Sequence, residues 1–299
     1  MKLIERLQRA RFKWAIRSML DTPPVCVGVE DFTALSMVHH RDVLPYLLAL
    51  KSFARHMRPA RVVVVADPTI NQVDRALLRA HVPHIEIREA VEFQRNGIPK
   101  GGCWERLSAI SHYVQAGYVV QLDADTVTLD DLNAVRLAIR ASVSFTLGTE
   151  DVQPILSCVE MSKQARNVLG ADPGVQSLAE ANLDRFDQSG RFRYARGCAG
   201  FAGFSKGSIN PDLVLEVSTR MSSVLGTKWT AWGTEQFASN LLVCSSPGGH
   251  LLPHPDYCAP TRLTSDTVFL HFIGFIRFRD GLYASTARRL ARELASLSA

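Results

Sequence analysis

Apolar and polar positions along this chain fall into blocks whose period switches between helical and extended. The opening stretch MKLIERLQRARFKWAIRSML, residues 1–20, places Leu3, Leu7, Ala10 and Trp14 on one side of a helix. Pro23 and Pro24 end it, because proline cannot extend a helix. From Val25 onward, VCVGVE and TALSMVHH are extended apolar runs, VLPYLLALKSFARHM has helical spacing, and RVVVVAD is β-branched, as in a parallel strand covered on both faces. NQVDRALLRAHV returns to helix and HIEIRE to strand. CWERLSAISHYVQAG is helical again, with Cys103, Leu107, Ile110 and Val114 in one stripe. YVVQLDAD completes the series. Alternation of this kind predicts an α/β fold with a doubly wound, mostly parallel sheet flanked by helices and ligands at the carboxyl ends of its strands.

Beyond YVVQLDAD the pattern loosens. ASVSFTLGTE reads as a strand, residues 155–195 as mixed helix and loop, and RGCAGFAGFSKGS as glycine-spaced and extended at its centre. PDLVLEVSTRMSSVL and TEQFASNLLVC are helical, DTVFLHFIGFIRF is a strand and its exit, and ASTARRLARELASLSA closes the chain as a helix. No internal repeat or low-complexity linker interrupts this order. The expectation is one domain over residues 23–299, preceded by a basic amphipathic helix over 1–22.

Composition changes this picture in only a few places. The mix of apolar and charged residues is that of an ordinary globular chain of 299 residues. No apolar run approaches the ~18 residues a spanning helix requires. The six cysteines are scattered, with no CxxC pair and no secretory leader ahead of them, which points to a reducing cytoplasm and away from zinc. The net charge of +5 is concentrated at one end: residues 1–20 hold Lys2, Arg6, Arg9, Arg11, Lys13 and Arg17 against the single Glu5. A basic end is not a nucleic-acid-binding domain. With Phe12, Trp14 and Ile16 interleaved, it suits an anionic membrane surface, and equally a helix that packs on the domain and is basic outside.

The chemistry is concentrated in YVVQLDADTV, residues 118–127. Asp123 and Asp125 end an apolar run one residue apart, and on a strand of period two such side chains point the same way. Like charges so close repel unless a divalent cation sits beside them, and an oxygen-rich site suits magnesium, manganese or calcium. The same DxD string also reads as the start of a turn with capping residues, since DADTVTLDDL holds several. It further matches the DxDxT strand end of phosphohydrolases, in which Asp123 would attack phosphorus. That motif normally ends a first strand, whereas three strand and helix units precede it here, and no later Gly-Asp pair completes a magnesium site.

Four strings in order, VVQLDADTVTLDDL, RGCAGFAGFSKG, WGTEQFASN and FLHFIGFIRF, resemble nucleotide-sugar glycosyltransferases of the GT-A fold, most closely the glycogenin-like and bacterial lipopolysaccharide hexosyltransferase group. The resemblance spans roughly residues 25–280 as a series of landmarks. It implies that Asp123, Asp125 and His271 hold Mn2+ or Mg2+ on a nucleotide diphosphate. It also implies that His271, Gly274 and Arg277 stand for the group's H-x-x-G-x-x-K pattern. Arg277 replaces the lysine, keeping the charge and adding a fork of donors suited to phosphate, and the aromatic that usually follows is displaced.

The remaining candidates follow from the same resemblance. Arg106, preferred over Lys100, would approach the diphosphate, and equally fits an exposed or structurally paired arginine. Gly200, with Gly197 and Gly203, would let the backbone lie against a sugar, although close strand packing explains the spacing equally well. Glu235 and Gln236 would meet the sugar or the acceptor, while capping by Thr234 accounts for much of that string. His39, with His40 beside it, and Asp67 lie where base and ribose are expected, and the two histidines fit ordinary loop positions equally well.

The expectation is therefore a metal-dependent hexosyltransferase using a nucleotide-diphosphate sugar, UDP-linked in the closest group, with a glycan, lipid or protein acceptor. It would be cytoplasmic and peripheral on the inner membrane face. Retention and inversion both stay open, Glu235 being the base that inversion would use. The rivals are a phosphohydrolase, a non-catalytic nucleotide-sugar-binding module, and a nucleotidyltransferase, for which the glycine-rich, arginine-containing loop after the first strand is missing.

Overall fold

The computed structural model describes residues 2–150 and 153–296. Residues 297–299, expected to finish the last helix, and the side chain of Leu3, expected on the first, lie outside what is described. In chain order the strands are β1 Glu30–Val38, β2 Pro59–Ala66, β3 Glu86–Glu89, β4 Tyr118–Leu122, β5 Thr126–Thr128, β6 Phe145–Leu147, β7 Leu156–Ser157, β8 Arg193–Tyr194, β9 Cys198–Phe204, β10 His250–Leu251, β11 Tyr257–Cys258 and β12 Phe269–His271. The helices are α1 Lys2–Ala15, α2 Val43–Met57, α3 Gln72–His81, α4 Trp104–Tyr113, α5 Asn133–Ala141, α6 Cys158–Asn167, α7 Val175–Ala181, α8 Leu183–Phe186, α9 Pro211–Leu225, α10 Thr234–Ser245 and α11 Leu282–Ser296. The α/β class and the strand and helix alternation are those expected.

Two compact units share the chain. The first comprises Met1–Glu89, Leu122–Asn133 and Pro255–Ala299. In it β1 and β2 run parallel, from Ala34 opposite Val62 to Val38 opposite Ala66, and β3 continues the parallel set from Val63 opposite Glu86. Val62 to Val65 are fully buried, which is why this strand is β-branched on both faces instead of alternating. VCVGVE departs from expectation: only Glu30 belongs to a strand. Its backbone makes single bonds, Val25 N–H to His81 O and Gly28 N–H to Pro59 O, in place of a ladder. Gly28 is needed there, because a Cβ would lie 1.8 Å from Arg58 O. The segment just before it is tied down by the buried Lys51 ammonium, which donates to Thr22 O, Thr22 Oγ1 and Pro23 O.

A small second sheet in the same unit carries the site. β12 pairs antiparallel with β5, placing His271 opposite Thr126 and Leu270 opposite Val127, and β11 lies parallel on the other side of β12. Behind it is a core of Phe12, Ala15, Ile16 and Met19 from the chain start, Val127 and Leu270 from the strands, Phe272 just past β12, and Tyr283, Ala287 and Leu290 from α11. The packed stripe of α1 is therefore not the side formed by Leu7, Ala10 and Trp14, which is exposed. The Phe12 stripe wins because it continues through Met19 in the following 3₁₀ turn and buries an aromatic ring against α11, worth about 2–3 kcal/mol for that ring alone.

The second unit comprises Ala90–Gln121 and Ala134–His254. Its strands lie in the order β10, β6, β9, β4. β10 and β6 are parallel, and β6 and β9 antiparallel, with Phe145 opposite Gly203. Packing accounts for two of the glycines of RGCAGFAGF, Gly197 and Gly203. A Cβ on Gly203 would sit 2.2 Å from the Phe145 ring and one on Gly197 2.7 Å from Leu147 O. Trp104, Trp229 and Phe237 stack edge to face beneath α4 and α10.

Candidate metal and phosphate site

The acidic pair lies just past the end of β4. The strand stops at Leu122, whose carbonyl accepts from Ser36 Oγ of β1 at 2.6 Å. A tight turn follows: Thr126 donates both its N–H and its hydroxyl to the Asp123 carbonyl, at 3.2 and 2.7 Å. The turn and the metal reading thus coexist, because the turn consumes the Asp123 backbone carbonyl and not its carboxylate. It also replaces the strand argument. Asp123 and Asp125 converge because the chain reverses, not because a pleat repeats.

The reversal brings β5 against β12 and so delivers His271. Its Nε2 lies 3.1 Å from Asp125 Oδ1. The ligand atoms of Asp123, Asp125 and His271 all lie within 4.8 Å of one another. Two ligands bound side by side at an octahedral ion with ~2.1 Å bonds stand about 3 Å apart, which is the His271–Asp125 separation. Two carboxylates and an imidazole form a donor set that manganese accepts well and magnesium tolerates. The residues present fit such an ion.

The other oxygen of Asp125 accepts from the Arg277 guanidinium, which also approaches Asp42 Oδ1 at 3.6 Å and donates from Nε to Phe272 O at 3.2 Å. Asp125 is 7 % exposed and His271 5 %. Burial by itself raises the Asp125 pKa, but His271 and Arg277 more than offset it and hold the carboxyl well below the usual carboxylate range. For Arg277, burial opposes the charge and Asp125 outweighs it, so the guanidinium pKa rises further. The loop from His271 to Arg277 is set by glycine: Gly274 has φ +42° and opens the 3₁₀ turn Gly274–Ile276 that leads into Arg277.

Two residues here were not anticipated. Asp42 precedes α2 and steadies Arg277. Tyr283 donates its hydroxyl to Ala124 O at 3.4 Å, inside the DxD turn, and its pKa is raised by burial and by Asp125. Neither carries a local sequence signal, since an aspartate before a helix reads as a cap and a tyrosine in a helix as core.

His39 and Asp67, at the ends of the neighbouring strands β1 and β2, meet: Nδ1 lies 3.2 Å from Oδ2. Asp67 Oδ1 accepts from the N–H and hydroxyl of Thr69. Burial would raise the Asp67 pKa; Thr69 and His39 together leave it lowered. His40 pairs instead with Asp74, at 2.8 Å, which also closes the capping box of α3.

The remaining candidates belong to the second unit. Arg106 donates to both oxygens of Glu235, at 3.2 and 3.0 Å, and both side chains are buried, so the residues expected at the diphosphate and the acceptor hold each other. Gln236 donates to Gln176 Oε1 and accepts from Cys198. Gly200 is buried within β9 and Lys100 is exposed. Thr234 does not cap α10: Gly233 stands at the cap, and the Thr234 hydroxyl accepts from Trp104 Nε1 at 3.0 Å.

No protein-family profile matches the chain, and no curated protein matches it in sequence. Solved glycosyltransferases are similar to it in structure. The galactosyltransferase LgtC, in complex with donor and acceptor sugar analogues, has a TM-score of 0.47 and 15 % identity over 89 % of this chain and 95 % of that one. Mouse xyloside xylosyltransferase 1 has a TM-score of 0.45 and 14 % identity over 83 % of this chain and 99 % of that one. Core-mannan synthase A from Aspergillus fumigatus, in its Mn/GDP form, has a TM-score of 0.44 and 8 % identity over 77 % of this chain and 76 % of that one.

Proposed function

We propose that this protein is a metal-dependent glycosyltransferase of GT-A type that moves a hexose from a nucleotide-diphosphate sugar, UDP-linked in the first instance, to a glycan or lipid acceptor. The observation that carries this reading is the environment of Asp125: imidazole on one carboxylate oxygen, guanidinium on the other, and Asp123 within reach. Breaking the bond from sugar to diphosphate builds negative charge on the leaving group, and fixed cations aimed at that charge lower the barrier. A divalent ion held by Asp123, Asp125 and His271 would supply a Lewis acid for the diphosphate oxygens. Arg277 is the second cation. Its fork of donors, shared here between Asp125, Asp42 and Phe272 O, can turn to a phosphate without leaving the site. Gly274 lets the backbone approach that phosphate.

On the nucleoside side we assign His39 and Asp67, which form a ready-made donor and acceptor pair at the strand ends. Gln236, Gly200 and the Arg106–Glu235 pair remain the candidates for sugar and acceptor. Glu235 receives no proton-transfer role here, because both of its carboxylate oxygens are engaged by Arg106. Residues 23–299 are the catalytic domain in this reading, and residues 1–22 are a basic helical segment that packs on it through Phe12, Ala15, Ile16 and Met19. The enzyme works in the cytoplasm and peripherally on a membrane.

A thermal-shift panel of nucleotide sugars with and without Mn2+, run on the wild type and on Asp125→Ala, tests the reading. One donor should raise Tm, only with the ion, and the variant should lose the effect. Stabilisation by no nucleotide sugar would sink the proposal, and stabilisation by a beryllium fluoride phosphoaspartate mimic in its place would favour a phosphohydrolase.

A further inference from the structure

Both the side chains of α1 that pack and many of those that do not are apolar. Phe12 and Ala15, followed by Ile16 and Met19 in the next turn, are in the core. Ile4, Leu7 and Trp14 are 59, 59 and 67 % exposed. At ~100° per residue these three fall within one arc of the helix, on the flank that adjoins the Phe12 stripe at Ala15. A helix already anchored along one stripe gains nothing for folding from a second apolar flank. Single exposed leucines are ordinary, but an exposed leucine, isoleucine and tryptophan in register are not.

The arc beside this flank is cationic. Arg6, Lys13 and Arg17 lie in it, Arg11 projects from between Ile4 and Leu7, and all four are exposed and have no ion-pair partner among the described residues. The acidic residue of the helix, Glu5, is taken by Arg9 at 2.9 Å. The neighbouring helix α11 adds Arg288, whose guanidinium lies 4.6 Å from the centre of the Trp14 ring, and the exposed Arg292. A groove of about 420 Å³ runs between Trp14, Arg17, Arg288 and Arg292, with Asp21 as its one carboxylate against three guanidinium groups.

We propose that the exposed flank of α1, with Arg288 and Arg292 of α11, is a docking surface for an anionic lipid bilayer. Phe12, Ala15 and Ile16 hold the helix on the protein, so the helix lies flat along the bilayer surface. Ile4 and Leu7 enter the acyl boundary, and Trp14 sits at head-group level, where an amphipathic ring is most stable. The cations meet lipid phosphates, each contributing to attraction that falls off within a Debye length. Charge selects this occupant over a second copy of the chain, because two copies joined through this face would oppose clusters of like charge. The apolar flank selects it over a nucleic acid, whose backbone has no use for leucine and isoleucine.

The test is flotation of the full chain with phosphatidylcholine vesicles containing phosphatidylglycerol, against phosphatidylcholine alone, at low and high salt. Binding should require the anionic lipid and weaken with salt. Arg6→Gln with Lys13→Gln, and separately Leu7→Gln with Trp14→Gln, should each weaken it about tenfold or more while leaving Tm unchanged. In a Trp232→Phe background, Trp14 is the exposed tryptophan, Trp104 and Trp229 being buried. Its emission should shift to the blue on binding and be quenched by brominated lipid. Flotation indifferent to the anionic lipid, binding that survives both double variants, or a dimer that the Leu7 and Trp14 variant converts to monomer would each overturn the proposal. Binding is read without donor or acceptor, so its failure leaves the transferase reading standing, and loss of donor binding leaves the surface standing.

Discussion

Nε2 of His271 lies 3.1 Å from Oδ1 of Asp125 although 146 residues separate them. The contact exists because β12 runs antiparallel to β5 with His271 opposite Thr126, one residue past the acidic turn. Phe272 N–H reinforces it by donating to the Asp125 backbone carbonyl at 2.8 Å. The strand pairing, and not the loop, sets the distance between the imidazole and the carboxylate.

Removing one member of this group should separate metal binding from folding. His271→Ala should weaken Mn2+ binding by at least about tenfold, measured by electron paramagnetic resonance of free Mn2+, with a modest loss of stability. Asp125→Asn should also lose the ion, but it leaves the Arg277 guanidinium without its carboxylate. Breaking a buried pair costs about 3–5 kcal/mol, and partial exposure of Arg277 places this one at the lower end. Unchanged Mn2+ affinity in both variants would remove the ion from the site.

The protein should lose stability in acid for a reason traceable to the same carboxylate. Asp125, against the effect of burial, is held below the ordinary carboxylate range by His271 and Arg277, and Asp67 is lowered by Thr69 and His39. With folded pKa values depressed, the unfolded chain binds more protons in acid. The stabilisation is complete above the unfolded value of about 3.9 and is lost as pH falls toward the folded one. Tm should therefore begin to fall below about pH 4 and go on falling as the pH is lowered further, and the drop should be shallower in Asp125→Asn. Equal slopes in the two proteins would contradict the assignment.

Phe12 stacks on Tyr283 at 4.0 Å between ring centres, and Tyr283 stacks in turn on Phe272 at 4.2 Å. Phe12→Ala should cost about 3–5 kcal/mol in urea denaturation and release α1 to limited proteolysis. A change confined to α1, with no loss of global stability, would show that the stack does not brace the site.

Arg106 and Glu235 form a buried pair in the second unit. Arg106→Met alone should destabilise by about 3–5 kcal/mol because it removes the guanidinium from a buried ion pair, whereas Arg106→Met with Glu235→Leu should recover most of that loss. Denaturant midpoints of the two variants decide it; equal midpoints would mean the residues are not coupled.

Gly203→Ala should be strongly destabilising, by about 2 kcal/mol or more, because the new Cβ would meet the Phe145 ring at 2.2 Å. Gly117→Ala, with nothing within 4 Å of the added carbon, is the control. Similar Tm values for the two would mean that β9 and β6 separate more readily than their packing indicates.

Much of this was legible along the chain, because the signals involved are local. The valine run of β2, the helical spacing of α2 and α9, and two carboxylates at the end of an apolar strand depend on residues within a few positions of each other, and each emerged where expected. The H-x-x-G-x-x-R string marked His271 and Arg277 as belonging with the acidic pair through a family pattern. Partner choice was not legible in the same way. That Arg277 divides itself between Asp125 and Asp42, that Arg106 turns to Glu235, that VCVGVE stays outside the sheet, and that α1 buries Phe12 while presenting Trp14 all depend on what lies opposite. A side chain's period reveals which residues share a face. Only the packed chain decides which face meets a partner, because burial and charge compensation are set by neighbours that are remote in sequence.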